Sequence, residues 1–405
     1  MLCQFTFRNY RSYRDETELS MQATSMREFE RSLIECPDGQ NFLPVAAVYG
    51  PNAGGKSNLL EALDYIRSAV ARPIRLLSAS TDVPEGNRSS IPRCSAFEFD
   101  DVSAAKPTKF ELYYRAGEHE YRYALSVHAD EIVSEGLWRR KLGASRTAML
   151  FEREGTGVEL GPTLRKLVTA ARFNPSLPYL SFLCINFDAP VVKEAASWFL
   201  DGVFLNYNSS YLEQMLEQLL DEDDSPEVTR FLCAVDVRID GFRVERAPEW
   251  RGQRVFVRHE VGDKAYELRL SEESAGTQKL MGLAAYLMTA LERGGTVVVD
   301  ELDAKLHPKL LRYVILLFKD PEVNKSGAQL IFSSQDVSTM RNDVFRRDEI
   351  WFAARGEGEA SQLWSLADIH EANGNLVSKN AALDKQYLSG RYGADPYLTR
   401  IEEWD

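Results

Sequence analysis

Residues 50–57 read Gly50-Pro51-Asn52-Ala53-Gly54-Gly55-Lys56-Ser57, a full match to GxxxxGK[ST]. No other stretch restricts the fold so tightly, because the string works only between a buried strand and the start of a helix. Its glycines let backbone amides turn toward phosphate oxygens at a helix N-terminus, where the dipole also favours an anion. Lys56 then reaches the β- and γ-phosphates, the Ser57 hydroxyl ligates magnesium, and Asn58 follows at the helix start. The flanks supply the required context. Residues 45–49 form a short apolar run. Leu59, Leu60, Leu63, Ile66 and Val70 then recur at helical spacing, and Pro73 is expected to close that helix.

Thr296 and three valines run into Asp300 and Glu301. A strand-end acidic pair is common on surfaces, but beside a phosphate loop it reads as the Walker B pair of that Walker A. Asp300 would hold magnesium through water. Glu301 would polarise the attacking water, because phosphoryl transfer needs positioning and charge stabilisation more than covalent chemistry. ATP and Mg²⁺ are the ligands this pattern calls for.

Around the pair the pattern is parallel α/β. A helix is expected from 277 to about 291, a strand at 296–299, a helix from Pro308 to about Phe318, and strands at 329–333 and 349–353. Such alternation implies a parallel sheet covered on both faces. Residues 2–20 read as a hairpin, and 97–99, 109–114 and 121–127 as strands of an antiparallel section. Further strands are expected near 242–247, 253–259 and 265–270. Leu212, Met215, Leu216, Leu219 and Leu220 are spaced for an amphipathic helix. The acidic run 221–224 ends it, and Ser225-Pro226 looks like the start of the next helix. The chain is thus divided into an N-terminal lobe 1–189 with the phosphate loop, a helical insertion 190–235, and a C-terminal lobe 236–405.

A formal net charge of −13 over 405 residues leans against a duplex-binding module, since phosphate neutralisation relies on surplus Lys and Arg. The five cysteines are scattered, with no CxxC pair, which fits a reducing compartment better than a disulfide framework or a zinc ribbon. The N-terminus has no long apolar h-region, and the longest apolar runs fall short of a membrane span. A cytoplasmic protein with no membrane partner is expected.

The segment Glu272–Lys279 precedes a long helix and resembles the signature motif of ABC-type ATPases. That resemblance implies that Ser274, Gly276 and Gln278 face the γ-phosphate held by another subunit. The bland reading of Ser274 is an ordinary helix cap. Leu302-Asp303-Ala304-Lys305-Leu306-His307-Pro308 resembles the D-loop of that superfamily, with the "LHP" tail of its recombination and overcoming-lysogenisation branches. Asp303 would sit at a dimer seam, while His307 reads as a capping or packing residue. The opening Phe7–Tyr13 resembles the "NFRSF" start of chromosome-maintenance and recombination-mediator ATPases, which makes Arg11 a candidate nucleotide contact. The stretch 347–352 and the tail 387–396 resemble a narrower bacterial group, the stand-alone AAA-15/AAA-21 ATPases associated with abortive-infection antiphage systems.

The resemblance implies an α/β P-loop head of ABC type, with a mixed or parallel sheet, an N-terminal antiparallel β section and an inserted helical lid. Walker A and the signature segment are 217 residues apart (274 − 57 = 217) with no sustained heptads between them, so this is a compact head without a coiled-coil arm. The switch position after the strand 329–333 reads Ser333-Ser334-Gln335-Asp336, and Gln335 stands where most relatives carry His. It can hydrogen-bond to water or phosphate but cannot take a charge, which points to slow turnover. No glutamine is assigned to the Q-loop. The family implies a homodimer, or a higher oligomer of dimers. No nuclease constellation is present, so a separate effector nuclease or toxin is implied. The competing readings are a DNA-repair or DNA-end-sensing ATPase and, more weakly, the motor subunit of a transporter.

Overall fold

The computed structural model describes residues 1–78, 91–168, 172–206, 226–235, 239–246, 253–371 and 374–395. Strand β1 (Leu2–Arg8) buries Leu2, Phe5 and Phe7 and pairs antiparallel with β2 (Thr17–Ser20). A two-residue hairpin, β3 (Ile34–Glu35) and β4 (Asn41–Phe42), precedes β5 (Val45–Tyr49). Five strands follow as a meander: β6 (Thr108–Ala116), β7 (His119–His128), β8 (Glu131–Lys141), β9 (Thr147–Glu154) and β10 (Gly157–Leu160). They join β1 and β2 in a seven-stranded antiparallel sheet of order β10-β9-β8-β7-β6-β1-β2.

The second sheet takes β5 together with β11 (Val203–Asn206) and strands from the far end of the chain. Before those come β12 (Gly241–Arg246), β13 (Gln253–Val261) and β14 (Lys264–Arg269), a separate antiparallel trio. Then follow β15 (Thr296–Asp300), β16 (Gln329–Ser333), β17 (Ile350–Arg355) and β18 (Ser361–Ser365). The order is β11-β15-β16-β5-β17-β18, parallel throughout except for β18. The phosphate-loop strand β5 and the acidic strand β15 therefore lie in one parallel sheet, with β16 between them. Every residue of β5, β15 and β16 is buried. Alternate residues of β5 face two cores: Ala46 and Val48 one way, Val45, Ala47 and Tyr49 the other. Covering on both faces is why these strands read as unbroken apolar runs.

The helices are α1 (Lys56–Ser78), α2 (Asp101–Ala104), α3 (Pro162–Arg165), α4 (Tyr179–Asn186), α5 (Pro190–Asp201), α6 (Pro226–Ala234), α7 (Ala275–Arg293), α8 (Pro308–Lys319) and α9 (Leu383–Leu388). Three local expectations need correcting. Pro73 does not close α1 but sits inside it. Buried Ala69, Val70 and Ile74 pack α1 against the α4 and α5 layer, which outweighs the one lost backbone bond. Residues 97–99 form no strand, because the Phe97 N–H donates to the Asn9 side chain (3.2 Å) rather than to a ladder. Residue 349 belongs to a 3-10 turn, Arg347–Glu349, and β17 begins one residue later.

Within 190–235, α5 packs on α1, and β11 extends the parallel sheet in register from Val203↔Val297 to Asn206↔Asp300. Residues 207–225, with the Leu212–Leu220 pattern, the acidic run and Ser225, lie outside the described residues, as does Pro396. The tail before it folds over β17, with Tyr387 stacked on Phe352 at 5.6 Å and Tyr392 tilted against it at 5.3 Å.

Candidate functional site

Strand β5 ends at Tyr49 and α1 begins at Lys56, so residues 50–55 must turn sharply between a buried strand and a helix. Gly50 does this at φ +147°, and a Cβ there would lie 2.0 Å from the Ala353 carbonyl of β17. Only glycine passes so close to that strand. Below the loop, the Tyr13 hydroxyl donates to the Gly55 carbonyl (3.2 Å) and the Asn58 amide to the Ser12 hydroxyl (2.8 Å). The Ser361 hydroxyl donates to that same Ser12 oxygen (2.8 Å). The loop is thus braced by the N-terminal segment and by β18.

Above it opens a cavity of about 280 Å³, lined by residues 52–58, Glu301, Gln335 and Arg355. Lys56 is buried, and its ammonium donates to the carbonyls of Gly50 (2.8 Å) and Pro51 (3.0 Å). Burial lowers its pKa, while Asp300, Glu301 and Asp303 pull the other way. Arg11 does not line the cavity. It forms an ion pair with Glu61 and approaches the Asn58 side chain at 3.4 Å.

Asp300 is buried at the end of β15, where it accepts a hydrogen bond from the Ser333 hydroxyl at 2.5 Å. The same hydroxyl accepts from the Glu301 N–H at 2.8 Å. One serine on β16 thereby fixes both acidic residues, and Glu301 takes a left-handed φ of +54°. Next along the chain, Asp303 accepts from the backbone N–H groups of Gln335 and Asp336, both at 3.1 Å. The turn that resembles a D-loop is bound in this way to the segment 334–336 after β16.

The signature segment stands elsewhere on the same chain. Ser274 caps α7, accepting from the Thr277 N–H at 3.1 Å, and Gln278 donates to the Glu273 carbonyl at 2.7 Å. Ser274, Gly276 and Gln278 do not line the cavity of their own chain. Gly276 lies against the D-loop, and a Cβ there would sit 3.2 Å from the Lys305 carbonyl.

Sequence reasoning did not single out Lys279, Ser333 or Arg355. Lys279, buried on α7, donates to the carbonyls of Glu301 (2.9 Å), Leu302 (3.2 Å) and Ala304. Burial pushes its pKa down to about 8, against the pull of Asp303 and Glu301. The signal for Lys279 was a single cation opening a long apolar helix. Ser333 and Arg355 carry no such signal, because their roles depend on which strand ends lie side by side. Among the described residues, no group of three or more His, Cys, Asp or Glu is placed to hold a metal alone. Ser57 lines the cavity and the Asp300 carboxylate acts electrostatically on the Lys56 ammonium; a hard divalent cation takes oxygen ligands of this kind together with phosphate oxygens.

Among curated proteins no sequence matches this one. Among solved structures, a chromosome-maintenance head bound to the C-winged helix domain of ScpA is 12% identical, with a TM-score of 0.46 over 90% of this chain and 97% of that one. The corresponding head domain from Thermotoga maritima is 14% identical, with a TM-score of 0.42 over 90% of this chain and 98% of that one. One with an extended coiled coil, bound to the C-terminal domain of ScpA derived from Pyrococcus furiosus, is 12% identical, with a TM-score of 0.39 over 90% of this chain and 96% of that one. A family model described as "AAA domain, putative AbiEii toxin, Type IV TA system" matches residues 45–341, from the phosphate-loop strand past the switch segment. With that stretch matched and its phosphate loop, acidic strand end and switch segment gathered in one parallel sheet, the chain belongs to this family of P-loop AAA domains.

Proposed function

We propose that the protein hydrolyses ATP with magnesium, that two copies close around two ATP molecules, and that this closure controls a separate effector in an antiphage system. The observation that carries the reading is the single cavity in which the phosphate loop, Glu301 and Gln335 meet. Lys56 exchanges the Gly50 and Pro51 carbonyls for phosphate oxygens when the nucleotide enters. Ser57 and Asp300 would hold the magnesium, which when bound offsets phosphate charge and aligns the terminal phosphate for attack. Glu301, fixed by Ser333 and Lys279, orients the water, and Gln335 hydrogen-bonds beside it without adding charge. With an uncharged side chain at the switch position, turnover is expected near the low end of enzyme rates, about 1 per second or less.

The family description, which names a toxin of a toxin–antitoxin system, supports a defence setting. The signature segment, set apart from its own chain's cavity, supports sites completed by a second copy. Phosphate release from ATP by purified protein tests the chemistry: loss of all release in the Glu301→Gln variant is expected, and parental release in that variant would remove Glu301 from its role. ATP-dependent co-elution with the product of the adjacent gene tests the effector. Elution of that product independent of nucleotide would count against control by closure.

A further inference from the structure

Two cationic side chains line the cavity over the phosphate loop, Lys56 and Arg355. Arg355 ends β17, the strand that pairs with β5 on the side opposite β16. Its Nε donates to the Ala53 carbonyl at 2.9 Å, and a terminal nitrogen donates to the exposed Glu359 carboxylate. Ala53 itself holds a left-handed φ of +60°, uncommon outside glycine. A guanidinium offers five N–H donors in a planar fork. Among the described residues these two partners take up two of the five, which leaves three donors on a side chain 41% exposed.

The charge balance of the cavity shows what those donors meet. Among the described residues its only lining carboxylate is Glu301, its switch residue is the uncharged Gln335, and Lys56 is the one cation that the loop motif supplies. A nucleoside triphosphate brings about four negative charges, only partly offset by magnesium. Arginine forks suit phosphate because they form two parallel, charge-assisted bonds. We propose that Arg355 is a second phosphate-binding cation, acting within its own chain on the terminal phosphate, and that it sets the preference for a nucleoside triphosphate over a diphosphate. The assignment rests on the nucleotide reading of this cavity. Glu359 is then a stand-in partner, holding the guanidinium over the loop until a phosphate displaces it.

A purely bracing role, in which Arg355 only fastens Ala53 to Glu359, makes opposite demands. Titration calorimetry of the full chain with magnesium–ATP and magnesium–ADP separates the two. Arg355→Gln should weaken ATP binding about tenfold or more while ADP changes less than about threefold, because only one of the ligands loses a charge-assisted pair. Glu359→Gln should tighten ATP binding about two- to fivefold, since the guanidinium no longer has to leave a carboxylate. Equal losses for ATP and ADP in Arg355→Gln, or weaker ATP binding in Glu359→Gln, would make Arg355 a brace and overturn the proposal. The second variant keeps the test decisive if the first disturbs folding. Failure of the nucleotide reading looks different: the parent would bind neither nucleotide, or Lys56→Ala would bind both as the parent does.

Discussion

Ser333 is a small side chain with a large share of the site, since its one hydroxyl donates to Asp300 and accepts from the Glu301 amide. Ser333→Ala should cost about 1–3 kcal/mol of stability, the usual range for a buried group left without its partner. It should lower turnover far more than ATP affinity, because phosphate binding stays with Lys56 and the loop amides. Thermal unfolding and steady-state phosphate release read the two effects separately, and equal losses in affinity and turnover would argue against the positioning role. Lys56→Ala should abolish ATP binding in the same assays, since it removes the buried charge of the phosphate loop. The phosphate loop and the strand-end carboxylates were legible in the sequence because their chemistry demands fixed residues at fixed spacing. Ser333, Lys279 and Arg355 were not, because each acts across a gap of 22 to 302 residues that only the folded sheet closes.

At the scale of elements, α7 carries the signature segment at its start and Lys279 one turn further on. Through Lys279 the helix grips three carbonyls of the turn that contains Glu301 and the D-loop. An ammonium supplies three donors for those three acceptors, and the amine formed above about pH 8 supplies two. Turnover should therefore fall as pH rises from 7 to 9, and Lys279→Arg, which stays charged, should flatten that fall. Stability has the opposite sign. The folded pKa lies below the ordinary 10.5 of lysine, so the unfolded chain binds more protons between the two values, and the fold gains stability as pH rises through that window. Lost turnover at pH 9 with an unchanged or higher melting temperature would identify Lys279 as the cause, whereas a falling melting temperature would point to general alkaline damage. Periodicity located α7, β15, α8 and β16. It misplaced the end of α1, where packing overrides Pro73, and made a strand of 97–99, where a side chain replaces the ladder. The four-residue β11 fell inside a stretch read as helical, since its run is too short to show a period of two.

For the whole molecule, the separation between the signature segment and its own cavity bears on assembly. If two copies share their sites, each substitution acts twice across an isologous seam. Ser274→Arg should spare ATP binding and abolish hydrolysis. Mixing it with Lys56→Ala should restore part of the activity, because the mixed dimer holds one composite site with both defects and one with neither. Absence of any recovery on mixing, or full activity of a dilute monomer, would refute shared sites. The sheet suggests a mechanical consequence as well. Among the described residues β11 is an edge strand, and its last residue, Asn206, lies in register with Asp300. Tension on the chain that continues from Asn206 would load the sheet first at the level of Asp300, the carboxylate proposed to hold magnesium. A tug from outside and the loss of a phosphate from inside would then strain the same rung of one ladder, so pulling on that connection in an optical trap should change the lifetime of bound ATP.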